Sequence, residues 1–157
     1  MGLVTSELDG TGRRQISLVE GHPFTPGLSG LLAADPRAQY AARVAAVSGI
    51  DPAVEDVLGG WVDAIVTGFD PIRIILFGSH ARGAAGRDSD VDLLVVLPEV
   101  EDELSTSVAI MSALGPRSIA VDVIPVDPSR LEASKTRSSS VVRDALEEGV
   151  VIYERAG

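Results

Sequence analysis

Three aspartates and one glycine-serine turn carry the chemistry legible in this chain. Asp90 and Asp92 stand one residue apart at the head of the apolar run Val91-Asp92-Leu93-Leu94-Val95-Val96. A β-strand alternates faces with a period of two, so both carboxylates point the same way and repel unless a cation sits between them. Gly78-Ser79 closes the preceding apolar run, Ile74-Ile75-Leu76-Phe77. Gly78 has no Cβ and lets backbone approach a phosphate, and Ser79 adds a hydroxyl. Asp122 interrupts a third apolar run, where a lone carboxylate is costly unless it is paired or binds a metal. If its strand lies beside that of Asp90 and Asp92, three carboxylates meet and can hold two magnesium ions. One rides in with a triphosphate and the other activates a hydroxyl for in-line displacement. Asp122 is placed either to ligand that second ion or to accept the hydroxyl proton. Arg82 is three residues beyond Ser79, in reach of phosphate charge. Ser89 and Arg87 are further candidates for the same region.

Each of these signals has a plainer explanation. A glycine-serine turn after a strand is common, Asp-x-Asp often caps a turn, and Asp122 is open to a salt bridge with Arg82. His80 reads as an exposed turn residue, His22 as loop, Trp61 as core and Lys135 as a solvated charge. The run Ser138-Ser139-Ser140 reads as a helix start rather than a phosphate site. Taken singly, the plain explanations win. The joint order and spacing of Gly78, Ser79, Asp90, Asp92 and Asp122 favours chemistry.

The elements that must position these residues follow from periodicity. Asp35-Pro36 and Asp51-Pro52 both read as helix starts, with Asp as N-cap and Pro in the first turn. The first helix spans about 36–48. The second carries Val54, Leu58, Trp61, Val62, Ile65 and Phe69 at helical spacing. Strands are expected at Ile72–Phe77, Asp90–Leu97 and Ser118–Val126. The middle one is apolar on both faces after Asp92, as a central strand should be. A helix over about 101–114 is expected to bury Leu104, Val108, Met111 and Leu114. Asp127-Pro128 opens another helix or turn, and a last helix around Val141–Leu146 ends at Gly149 before a closing strand, Val150–Tyr153. In the first 34 residues only Arg14–Val19 hints at a strand. The fold class is therefore α/β (α+β): a small mixed sheet flanked by helices, with residues 1–50 as an N-terminal extension and 51–157 as the domain that bears the site.

Composition narrows the classes. The chain has 157 residues, no cysteine, 13 basic against 23 acidic residues and a net charge of −10. Disulfides and thiolate metal sites are excluded. No apolar run approaches the roughly 20 residues a membrane helix needs, and the first residues do not read as a signal peptide, so the cytoplasm is the expected compartment. So acidic a chain is repelled by a phosphate backbone, which argues against direct nucleic-acid binding.

Gly78-Ser79, ten intervening residues, Asp90-x-Asp92 and a later apolar-flanked Asp122 resemble the DNA polymerase β-type nucleotidyltransferase superfamily, and within it the minimal nucleotidyltransferase (MNT) domain. The tail from Val141 to Glu154 is similar to the way these small domains end. The resemblance covers about residues 51–157. It implies a nucleotidyltransferase fold in which Gly78 and Ser79 hold the nucleotide phosphates, with Arg82 and Ser89 beside them. Asp90, Asp92 and Asp122 are then the metal ligands, Asp122 doubling as the base. It also implies magnesium as cofactor, ATP as substrate, and a partner protein: a HEPN-type RNase toxin whose tyrosine receives AMP, this chain being the antitoxin. Two alternatives stand beside that one. One is a binding antitoxin that neutralises its partner without catalysis. The other is a small-molecule (antibiotic) nucleotidyltransferase, although few residues follow the motif to build the extra helical domain such enzymes carry.

Overall fold

The structure is a computed structural model that describes residues 4–8, 14–18, 40, 43–44, 47, 49–137 and 140–156. The chain divides into two compact units, Met1–Asp35 and Pro36–Gly157. In the first unit, β1 (Val4–Leu8) pairs antiparallel with β2 (Arg14–Leu18), in a register that sets Val4 opposite Leu18. The strand hint at Arg14–Val19 thus holds, and its partner β1 was not foreseen. His22, Ser138, Ser139 and most of the helix expected at 36–48 lie outside the described residues. Within that helix Tyr40, Arg43 and Val44 are helical. Tyr40 and Val44 are buried in the core of the second unit, and the Tyr40 hydroxyl donates to the Glu55 carbonyl at 2.9 Å.

The second unit is built on a four-stranded mixed sheet whose strands are, from edge to edge, β5 (Val121–Val126), β4 (Val91–Val96), β3 (Arg73–Phe77) and β6 (Val150–Glu154). Helix α1 (Pro52–Phe69) precedes β3 (Arg73–Phe77), and the one-turn helix α2 (Gly78–Ala81) follows it. Then come β4 (Val91–Val96), α3 (Glu103–Ala113) and β5 (Val121–Val126). Helices α4 (Pro128–Lys135) and α5 (Val141–Glu148) lead to β6 (Val150–Glu154). The caps behave as the sequence implies. Asp51 accepts from the Ala53 N–H, Asp127 from the Arg130 N–H, and Asp102 from the N–H groups of Leu104 and Ser105. Each satisfies an orphan donor of a first turn.

Period-two alternation sorts the central strands into two layers. Ile74, Leu76, Leu93 and Val95 face one side, against Leu58, Trp61 and Ile65 of α1 and Ile110 of α3. Ile75, Phe77, Leu94 and Val96 face the other, against Val142 and Ala145 of α5. β4 lies between β3 and β5, which is why its sequence is apolar on both faces. β3 and β4 run antiparallel, while β4 and β5 run parallel with α3 as the crossover.

One expected face is half right: Met111 packs against the core and Leu114 is buried, as expected. Leu104 and Val108, by contrast, are 74% and 50% exposed. The fully buried Ile110 sets the inward stripe as Ser107, Ile110, Met111 and Leu114, and on it the Ser107 hydroxyl donates to the Val123 carbonyl at 2.8 Å. With that stripe facing the sheet, Leu104 and Val108 turn outward.

Candidate active site

β3 and β4 deliver their functional ends to the same place because they are antiparallel neighbours. The last residue of β3, Phe77, sits opposite Asp92, so the turn that begins at Gly78 starts beside that carboxylate. Gly78 has φ of +71°, a left-handed conformation that costs an L side chain about 1–2 kcal/mol. Space is equally restrictive. A Cβ on Gly78 would run into Asp92 Oδ2 and lie 3.0 Å from its Cγ. Glycine here is what lets the turn backbone and the carboxylate occupy adjacent positions.

β5 supplies the third carboxylate. The parallel register pairs Asp92 with Asp122 directly. The alternation that puts Leu94 and Val96 on the α5 side also puts Asp92 there. On β5 it puts Asp122 on the same side as Val126. Asp122 is exposed, not core-like as expected, because it is only the second residue of an edge strand and lies at the open end of the sheet. Asp90, one residue before β4, is exposed as well, while Asp92 is half-buried.

The electrostatics report this crowding. The Asp92 carboxyl is held above the usual aspartate value, first by burial and then by the negative charges of Asp122 and Asp90, with His80 and Arg82 pulling weakly the other way. A carboxylate pushed toward protonation by two others on one face is a place where a hard cation relieves repulsion. Among the described residues, however, no three His, Asp or Glu side chains are drawn together tightly enough to enclose a metal ion as they stand. The match to magnesium is therefore one of donor chemistry (oxygen ligands only) and of shared face.

The remaining candidates divide. Ser79 is in α2, next to Gly78, and partly exposed. Arg82 follows that helix, and its guanidinium meets Glu148 at the end of α5 at 3.0 Å rather than Asp122. The Ser89 hydroxyl oxygen accepts the Gly86 N–H at 2.9 Å and so shapes the loop before Asp90. Lys135 is exposed and pairs with Glu132 at 2.6 Å, and Trp61 is core, both as expected. His80 departs from expectation. It is 2% exposed, and its Nε2 lies 3.1 Å from the Ser89 carbonyl. A polar residue in a turn reads as surface, but the one-turn helix swings this side chain inward.

A family model for the nucleotidyltransferase domain matches residues 62–152, more than half of the chain. This chain belongs to the nucleotidyltransferase domain family. The match runs from α1 to β6 and contains Gly78, Ser79, Arg82, Ser89, Asp90, Asp92 and Asp122. Membership brings nucleotidyl transfer from a nucleoside triphosphate as the general chemistry. Among solved structures, the chain is similar to a candidate nucleotidyltransferase from Sulfolobus solfataricus, at 18% identity and a TM-score of 0.46, over 77% of this chain and 88% of that one. No curated protein matches the sequence significantly. Among the described residues, no helix is long and apolar enough to cross a membrane.

Proposed function

We propose that this nucleotidyltransferase domain moves AMP from ATP to a hydroxyl of a partner protein in a magnesium-dependent reaction. The observation that carries the reading is the parallel register of Asp92 with Asp122, set against a turn whose Gly78 leaves no room for a Cβ. Asp90, Asp92 and Asp122 are the residues that would hold magnesium, which when bound supplies charge neutralisation at the phosphates and a more acidic acceptor hydroxyl.

The chain's own groups do the rest. The Gly78-Ser79 backbone and the Ser79 hydroxyl receive the triphosphate and hold its α-phosphorus toward the open strand ends. Asp122, exposed on β5, accepts the proton of the incoming hydroxyl. The acceptor oxygen bonds to the α-phosphorus as the bond to pyrophosphate breaks, so one phosphoanhydride is exchanged for one phosphoester. Arg82 compensates phosphate charge once it leaves Glu148, an exposed and therefore weak partner.

Charge favours a protein acceptor over a nucleic-acid one and is equally compatible with a small-molecule acceptor. With a net charge of −10 the chain repels nucleic acid. The resemblance to minimal nucleotidyltransferases points to a HEPN-type toxin as that acceptor, with this chain as its cytoplasmic antitoxin.

The test is transfer of label from α-labelled ATP, with magnesium, to a co-expressed HEPN partner, beside an Asp90→Ala/Asp92→Ala double variant. Label on the partner only with intact aspartates supports the reading. A stable complex with no transfer from any nucleotide replaces catalysis with neutralisation by binding. Transfer only to a small-molecule hydroxyl moves the domain to the antibiotic-modifying class.

A further inference from the structure

We infer that His80 is a positioning residue: its imidazole holds the peptide carbonyl just before Asp90 and thereby sets the first carboxylate against the phosphate-binding turn. The ten residues 80–89 separate Ser79 from Asp90, and Gly83–Asp88 are mostly exposed. A loop of that kind does not fix its far end without ties to the scaffold. His80 sits on α2, one residue after Ser79, and is buried. Its Nε2 lies 3.1 Å from the Ser89 carbonyl oxygen, which can only accept, so Nε2 carries the proton and donates. That carbonyl belongs to the peptide joining Ser89 to Asp90. One side chain thus links the turn that receives phosphate to the backbone that aims Asp90.

Two other ties of the loop converge on Ser89, and a third closes the near end of the loop on Ser79. The Ser89 hydroxyl oxygen accepts from the Gly86 N–H at 2.9 Å, the Ser89 N–H donates to the Gly86 carbonyl at 3.1 Å, and the Ala84 N–H donates to the Ser79 carbonyl at 2.9 Å. On the far side, the Val91 N–H donates to the Ala120 carbonyl at 2.9 Å and locks the strand that follows. Asp90 is left between two anchored peptides, one held by His80. Among the described residues, the buried Nδ1 of His80 meets no partner, and the Nε2 bond is the one that justifies burying this imidazole. A phenylalanine or leucine would fill the volume more cheaply if volume were all that was required.

This assignment rests on the nucleotidyltransferase reading for the role of Asp90, but the bond itself can be tested without it. In the full chain, His80→Gln keeps an amide N–H at the reach of Nε2, and His80→Asn is too short. His80→Asn is expected to lower kcat on the order of tenfold to a hundredfold with the nucleotide KM little changed, and His80→Gln to keep most of it. Hydrogen exchange supplies the second readout. The Ser89 amide should lose at least about tenfold protection in His80→Asn and keep it in His80→Gln, while α1 and β4 stay as in the wild type. Equal loss in both variants, or no loss in either, overturns the assignment. If the wild type transfers no nucleotide, the transferase reading fails and exchange alone decides. If His80→Asn does not fold, His80→Gln carries the test: retained protection at Ser89 supports the bond, and lost protection overturns it.

Discussion

Replacing Gly78 with alanine separates the site's geometry from the stability of its scaffold. Two costs follow from the structure. At φ of +71°, alanine is strained by about 1–2 kcal/mol. Its methyl would also overlap Asp92 Oδ2 and press on Cγ at 3.0 Å, so the carboxylate must rotate away from the turn. The strain alone should lower Tm by roughly 2–8 °C, at about 2–4 °C per kcal/mol for a chain of this size, and the clash adds to it. The functional loss should be larger in proportion, because Asp92 is a metal ligand in the proposed reaction and a displacement of about 1 Å there costs on the order of a hundredfold in rate. Gly60→Ala is the internal control. Gly60 lies in α1 with open space around its missing Cβ, so alanine there should stabilise by up to about 1 kcal/mol and leave transfer unchanged. The measurements are thermal unfolding and labelled-nucleotide transfer on the same three proteins. Wild-type transfer by Gly78→Ala would refute the claim that this turn and Asp92 form one site. So would a loss of transfer in Gly60→Ala equal to that in Gly78→Ala.

Asp92 is held above the usual carboxylate value, so the folded state binds its proton more tightly than the unfolded chain, and the ionised carboxylate weakens the fold as pH rises through its titration. Asp92→Asn should therefore raise Tm at neutral pH and abolish transfer. The gain should shrink toward about pH 4, near the ordinary aspartate value, and a Tm lowered at both pH values contradicts the repulsion. Asp122→Asn should bring the Asp92 titration down toward its ordinary value, measurable by carboxyl NMR, and an unmoved titration means the two groups do not interact. Arg82→Ala removes only an exposed pair with Glu148 and should cost less than about 1 kcal/mol of stability, while lowering transfer on the order of tenfold. Unchanged transfer removes Arg82 from the proposed phosphate site. Gly149→Ala should destabilise by about 1–3 kcal/mol, because its Cβ would press on the Ala145 carbonyl and sit 2.5 Å from Ile75 Cγ2. An unchanged Tm would mean that α5 and β3 have room to separate.

Much of this architecture is local chemistry and was legible before any coordinates. Aspartate caps and prolines mark α1 and α4, period-two and helical spacing mark the central strands and α1, and Gly78 marks the turn. These signals are readable because each depends on residues within a few positions of one another. The sequence also says that Asp90 and Asp92 share a face, since that needs only the pleat of a strand. It does not say what lies opposite. That Asp122 falls beside Asp92 depends on β5 pairing parallel with β4 in one register, and a shift of one residue would send its carboxylate to the other face. Which stripe α3 buries was settled by tertiary packing, since Leu104 and Val108 are as apolar in sequence as Ile110 and Leu114. The burial of His80 arose in the same way, from a carbonyl nine residues away that only the folded loop brings to it. Residue types and spacing were enough to name the chemistry. Pairing register and long-range contacts, which no local pattern encodes, decided which of the candidate groups lie side by side.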